Sequence, residues 1–70
     1  MTNNDVLRRI RYILDLNDSM MINVFAQADI DVSREQVSQW LKRDDDPDYE
    51  SLNDKQMATF LNGLINHLRG

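Results

Sequence analysis

The sequence predicts an all-α domain, a compact four-helix unit with helices near residues 3–15, 18–28, 34–43 and 54–68. Three observations carry that expectation. The grammar of a helix start recurs along the chain, apolar residues after each start follow a helical period, and no segment reads convincingly as a strand. The grammar is plainest in two stretches twenty residues apart, Val32 to Leu41 and Leu52 to Leu61. Each has an apolar residue, a capping residue, Gln three further on, an apolar residue next, then an aromatic and Leu. That is a capping box with a hydrophobic staple. All four starts fit the pattern to some degree, so shared physical constraints explain the echo better than an ancient duplication. A solenoid does not follow, because stable repeat stacks want three or more units.

The first helix places Val6, Leu7, Ile10, Ile13 and Leu14 on one face. Its start is a weaker version of the template, with Thr2 as cap and Asp5 and Val6 at the box and staple positions. In the second, Asn17 is the cap, Leu16 staples to Met21, and Met21, Val24, Phe25 and Ala28 form the buried stripe. Met20 reads as core as well. This helix ends around Ala28 to Asp31 although no Gly or Pro marks the stop. The third begins after Ser33 and buries Val37, Trp40 and Leu41. Ser33 accepts from the backbone N–H of Gln36, and the Gln36 side chain is expected to reach back to the Ser33 N–H. Pro47 ends helical geometry by pushing its predecessor out of the α region. The fourth starts at Asn53 and buries Met57, Phe60, Leu61, Leu64, Ile65 and Leu68. Gly63 sits inside it at a cost of about 1 kcal/mol relative to Ala. Close approach of another helix would explain it, and so would tolerance at a solvent position.

Seventy residues allow one small domain, spanning 1–70, near the size where a core supplies only roughly 3–5 kcal/mol. The chain has no Cys, which removes disulfides and thiolate metal sites. No apolar run approaches the ~20 residues of a membrane span, and Met1 to Asp5 lacks the pattern of a signal peptide. A cytoplasmic protein with no membrane contact is the expectation. The net charge of −4 disfavours nonspecific attraction to phosphate backbones or anionic lipid.

The residues do not suggest an enzyme. His67 is the single histidine, it lies in the last turn of the last helix, and the helix dipole is reason enough for it there. Asp44, Asp45, Asp46, Asp48 and Glu50 form the densest charge. A calcium loop starting at Asp44 would need Gly and Glu where Tyr49 and Lys55 stand, so these carboxylates read as a solvated loop. No catalytic residue, metal or cofactor is expected. Arg8, Arg9 and Arg11 beside Tyr12 form the one basic cluster, adequately explained by local pairing with Asp5 and Asp15.

Nucleic-acid binding of helix-turn-helix type is the alternative function, with the helix after Ser33 as reader. Arg34, Ser38, Gln39, Lys42 and Arg43 would then contact bases and phosphates. Such a motif wants a small residue where Gln27 stands and Gly where Asp31 stands, and acidic neighbours of the turn would repel phosphate. These mismatches favour the other reading, a non-catalytic helical protein-interaction or structural module.

Four ordered blocks resemble the YehS-type family of bacterial cytoplasmic proteins of unknown function: Asn4 to Tyr12, Val32 to Lys42, the Asp45-Asp46-Pro47 loop, and Phe60 to Ile65. The resemblance covers nearly the whole chain. It implies one unit of a family whose members carry two in tandem, and it supplies no catalytic residues. A lone unit would then lack its usual cover. The expected partner is another protein or a second copy of the domain, with Trp40, Phe60 and the face around Gly63 as candidates for a homodimer surface.

Overall fold

The structure, a computed structural model, describes residues 1–70 and contains four helices: α1 (Asn3–Ile13), α2 (Asp18–Ala26), α3 (Arg34–Leu41) and α4 (Asp54–Arg69). No strand forms. Each start is capped as the local sequence dictates. Thr2, Asn17, Ser33 and Asn53 accept, through their side chains, the backbone N–H three residues on. The boxes close fully at α1, where Asp5 accepts from the Thr2 N–H, and at α4, where Gln56 accepts from the Asn53 N–H. The expected box at α3 is only half made. Gln36 donates to Glu50 Oε2 at 2.8 Å instead of reaching back to Ser33. A charge-assisted partner from the long loop outcompetes a neutral backbone N–H.

Helix ends depart from expectation more than starts. α1 and α2 close earlier than predicted, at Ile13 and Ala26, through paired bonds of Schellman type. At α1 the Leu16 N–H donates to Arg11 O and the Asp15 N–H to Tyr12 O; at α2 Ile30 donates to Phe25 O and Asp29 to Ala26 O. The left-handed residue is Asp each time, Asp15 at φ 53 and Asp29 at φ 64. Asp tolerates that region better than most residues, so no Gly was needed to stop either helix. α3 also stops short of the expected residue 43, because Lys42 turns extended and its carbonyl accepts from Arg8 Nη1 at 2.7 Å.

α2 is the hub, packed on α3 and α4, while α1 bridges α3 and α4 from the other side. Phe25 of α2 lies between the two aromatics of the echoed segments, with ring centroids 5.3 Å from Trp40 and 5.2 Å from Phe60. Around them Leu7, Leu16, Met21, Val24, Val37, Leu52 and Met57 complete the core. Gly63 is there for close approach. A Cβ on it would fall 1.9 Å from the Val24 carbonyl oxygen, so α2 and α4 touch backbone to backbone.

Several residues assigned to the core lie outside it. Met20, Ile13, Leu14, Leu61, Ile65 and Leu68 are exposed, and Ala28 is half-buried. One face of each helix is all a small core can cover.

Candidate interaction surfaces

The proposed reader residues do not form one free surface. Arg34 is exposed, but its guanidinium donates to Ser19 Oγ at 3.0 Å and lies 3.8 Å from an Asp18 carboxylate oxygen. Ser38 and Gln39 are half-buried, and the Gln39 carbonyl accepts from the Glu50 N–H at 3.2 Å. Lys42 and Arg43 lie beyond the helix. Arg43 instead joins Arg8 and Arg9 at an open cleft floored by Tyr12 and Ile13, together with Asp5. Arg8 is committed there, ion-paired with Asp5 and bonded to the Lys42 carbonyl. Asp5 is held below its ordinary carboxylate value, first by the Thr2 backbone N–H, and further by the Thr2 hydroxyl, Arg8 and Arg9. Arg11 sits apart, with its Nε buried and lacking an acceptor.

The expected self-association surface is overturned. Trp40 is 3 % and Phe60 0 % exposed, and Gly63 is buried against Val24. Aromatics following a capped start point inward in this chain because Phe25 is available between them.

The unpartnered apolar surface lies elsewhere. The Asn3 side chain of α1 donates to Asp54 Oδ1 of α4 at 2.8 Å, tying the two helix starts together. From that contact, Asp54, Ala58, Leu61, Ile65 and Leu68 follow one another at alternating spacings of four and three residues, the seam of a coiled coil. On α1, Asn3, Val6, Ile10 and Ile13 do the same. Both lines reach solvent toward the helix ends, and on α4 Asp54 and Ala58 are exposed as well. Leu61, Ile65 and Leu68 are 41, 52 and 62 % exposed; Val6 and Ile10 are half-buried and Ile13 is 74 % exposed. The helices are joined at their starts by Asn3 and Asp54, and each carries exposed apolar side chains toward its end.

The residue that sequence reasoning missed is Asn4. It is 1 % exposed and satisfies three backbone groups of two other segments. Its Nδ2 donates to the carbonyls of Trp40 at 2.9 Å and Glu50 at 2.8 Å, and its Oδ1 accepts from the Leu52 N–H at 2.9 Å. A polar residue one turn before Leu7 on the buried side of α1 was the available signal. His67 has a comparable local job. Its Nδ1 accepts from Gln27 Nε2 at 3.2 Å while Asn66 donates to the Gln27 carbonyl at 3.1 Å, fastening the end of α2 to α4.

A second cleft, of about 550 Å³, has Phe25 and Trp40 at its base, Ile30 and Val32 at its side, and Lys55, Gln56 and Thr59 of α4 opposite. The loop carboxylates are dispersed, with Asp46 accepting from the Asp48 N–H and Glu50 from Gln36. No three His, Cys, Asp or Glu side chains converge as metal ligands would. No helix is long and apolar enough to cross a membrane.

No solved structure matches the chain. The Uncharacterized protein YehS of Escherichia coli (strain K12) is 36 % identical over 70 residues, which is 100 % of this chain and 45 % of that protein. The chain therefore spans less than half the length of that relative. The family described as "Protein of unknown function (DUF1456)" matches residues 3–70, from the first residue of α1 through the last turn of α4. On that match, this four-helix chain belongs to the DUF1456 family.

Proposed function

We propose that this domain is a non-catalytic helical protein-interaction module whose contact surface is the exposed apolar stripe of α4. The observation that carries the reading is the rising exposure of Leu61, Ile65 and Leu68 on a helix whose other face is packed in the core. Full burial of such a side chain is worth about 1.5–3 kcal/mol, and these are roughly half covered already, so a partner that covers the stripe gains about 1 kcal/mol from each. The absence of catalysis is supported by the use of His67 to hold Gln27 and by the local engagement of the loop acids. A photo-crosslinking residue at position 65 or 68, in the native cells, tests the reading. The expected result is a discrete protein adduct at those positions and none at exposed Glu35 on α3. Equal labelling at all three positions would sink it, and an adduct at twice the chain's mass would make the partner a second copy.

A second reading, nucleic-acid binding, is favoured by one observation: Arg43 meets Arg8 and Arg9 beside Tyr12, which is 85 % exposed. A shift titration with single-stranded and duplex oligonucleotides at low salt separates the two. Binding that weakens with salt and is lost in Arg9→Ala and Arg43→Ala supports this reading, and the absence of any shift removes it.

A further inference from the structure

We propose that the surface around Tyr12 binds single-stranded nucleic acid, with a base laid on the Tyr12 ring and phosphates held on either side of it. The inference rests on the nucleic-acid reading and adds the kind of strand. Tyr12 is 85 % exposed and is the wall shared by two clefts. The first, of about 530 Å³, is the one where Arg8, Arg9 and Arg43 meet. The other, of about 660 Å³, is lined by Arg11 and by Leu16, Asn17 and Met20, where the chain enters α2. Four of the chain's six arginines therefore line the two clefts that border one exposed aromatic, in a protein of net charge −4.

Three of those guanidiniums have donors to spare. Arg43 is exposed, and Arg9 donates only to the Asp5 backbone carbonyl, at 3.3 Å. Arg11 is half-buried, with its Nε enclosed and lacking an acceptor, where a buried donor is ordinarily hydrogen-bonded. No carboxylate lies within ion-pair distance of any of the three. A phosphate in either cleft supplies the charge-assisted acceptors that the chain withholds. Arg8 has a different job, pairing with Asp5 and so neutralising the carboxylate of the first cleft. Asp15 lines the other cleft but is exposed, so solvent screens its repulsion.

The argument for an unpaired strand is the ring. A base lays its face on an exposed aromatic only when it is free of a duplex stack. Asp44 and Asp45 directly follow Arg43, so a duplex, with two rows of phosphate, meets more repulsion at that end than one strand does. A phosphorylated peptide would engage the arginines but gives the ring no planar partner.

The test uses the full chain and a fluorescently labelled oligonucleotide of mixed sequence, either alone or annealed to its complement. Anisotropy titrations at low salt are expected to show the single strand binding about tenfold tighter than the duplex. Contact with roughly two or three phosphates gives a log–log salt slope of about −1.4 to −2.1. Tyr12→Leu, at an exposed position, is expected to weaken the single strand about tenfold, and Tyr12→Phe to restore it, since stacking needs the ring and not the hydroxyl. Arg11→Gln and Arg43→Gln, verified as folded by circular dichroism, should each flatten the salt slope by about 0.7. Duplex bound as tightly as the single strand, or a Tyr12→Leu variant that binds like the parent, would overturn the inference while leaving the nucleic-acid reading in place. A phosphorylated peptide of matching charge bound more tightly than the oligonucleotide would overturn it too. No shift with either form would remove both the inference and the reading it rests on.

Discussion

The two ends of the α1–α4 pair contrast sharply. At the helix starts, Asn3 bonds Asp54 and the Leu52 carbonyl, and Asn4 ties α1 to the end of α3 and to the segment entering α4. Toward the other end the same two helices present Ile13, Leu61, Ile65 and Leu68 to solvent. One end is closed by directional polar bonds, and the other is left apolar and open. The difference teaches that this fold is held by a polar lock over a small aromatic core, while much of its apolar sequence is not used for its own stability.

That contrast can be broken at the closed end. Asn4→Ala strands the buried Trp40 carbonyl and Leu52 N–H, where each orphaned group costs about 1–3 kcal/mol, and also removes the part-buried bond to the Glu50 carbonyl. A loss of about 3 kcal/mol or more is expected in urea denaturation, enough to unfold much of the population at room temperature. Gly63→Ala comes next. Its Cβ meets the Val24 backbone, which no rotamer change can relieve, so α2 and α4 must separate at a cost of about 2–3 kcal/mol. A variant with unchanged midpoint would mean the helices pack less tightly than described.

Smaller effects sharpen the comparison. Asp15→Gly relieves a left-handed backbone at φ 53 and should raise stability by up to about 1 kcal/mol. Ile65→Lys and Leu68→Lys, at the open end, should change stability by less than about 0.5 kcal/mol despite removing large aliphatics. If they destabilise as core substitutions do, these side chains are covered in solution. Asp5 gives the mildest signal. Its folded value lies below the ordinary 3.8, so its contribution is present above that pH and is lost as pH falls through the folded value. Carboxyl titration by NMR should place its midpoint below 3.8, and Asp5→Asn should remove this component of acid sensitivity.

How much was legible follows from range. Val32 to Leu41 and Leu52 to Leu61 share one template and both become capped helices, since a cap needs only residues within one turn. Gln36 and Gln56 are equivalent in that template, yet only Gln56 closes its box, because Glu50 is within reach of Gln36. Trp40 and Phe60 are expected in the buried stripes of their helices and also as candidates for a homodimer surface, and the buried reading holds. Phe25, distant in sequence from both, draws them inside. The reader residues dispersed for the same reason: Arg34 found Ser19, and Arg43 found the cleft beside Arg9.

By itself the sequence determined that there would be four helices, where each would begin, and that their apolar stripes would build one all-α core. These are properties of caps and periodicity, set by neighbours three and four residues away. Only the tertiary structure decided where α3 stops, that Gly63 is a contact, that Asn4 is a lock, and which half of α4's apolar surface stays open. Those outcomes depend on groups brought together from distant parts of the chain, and a stripe on one helix does not say whether anything will cover it.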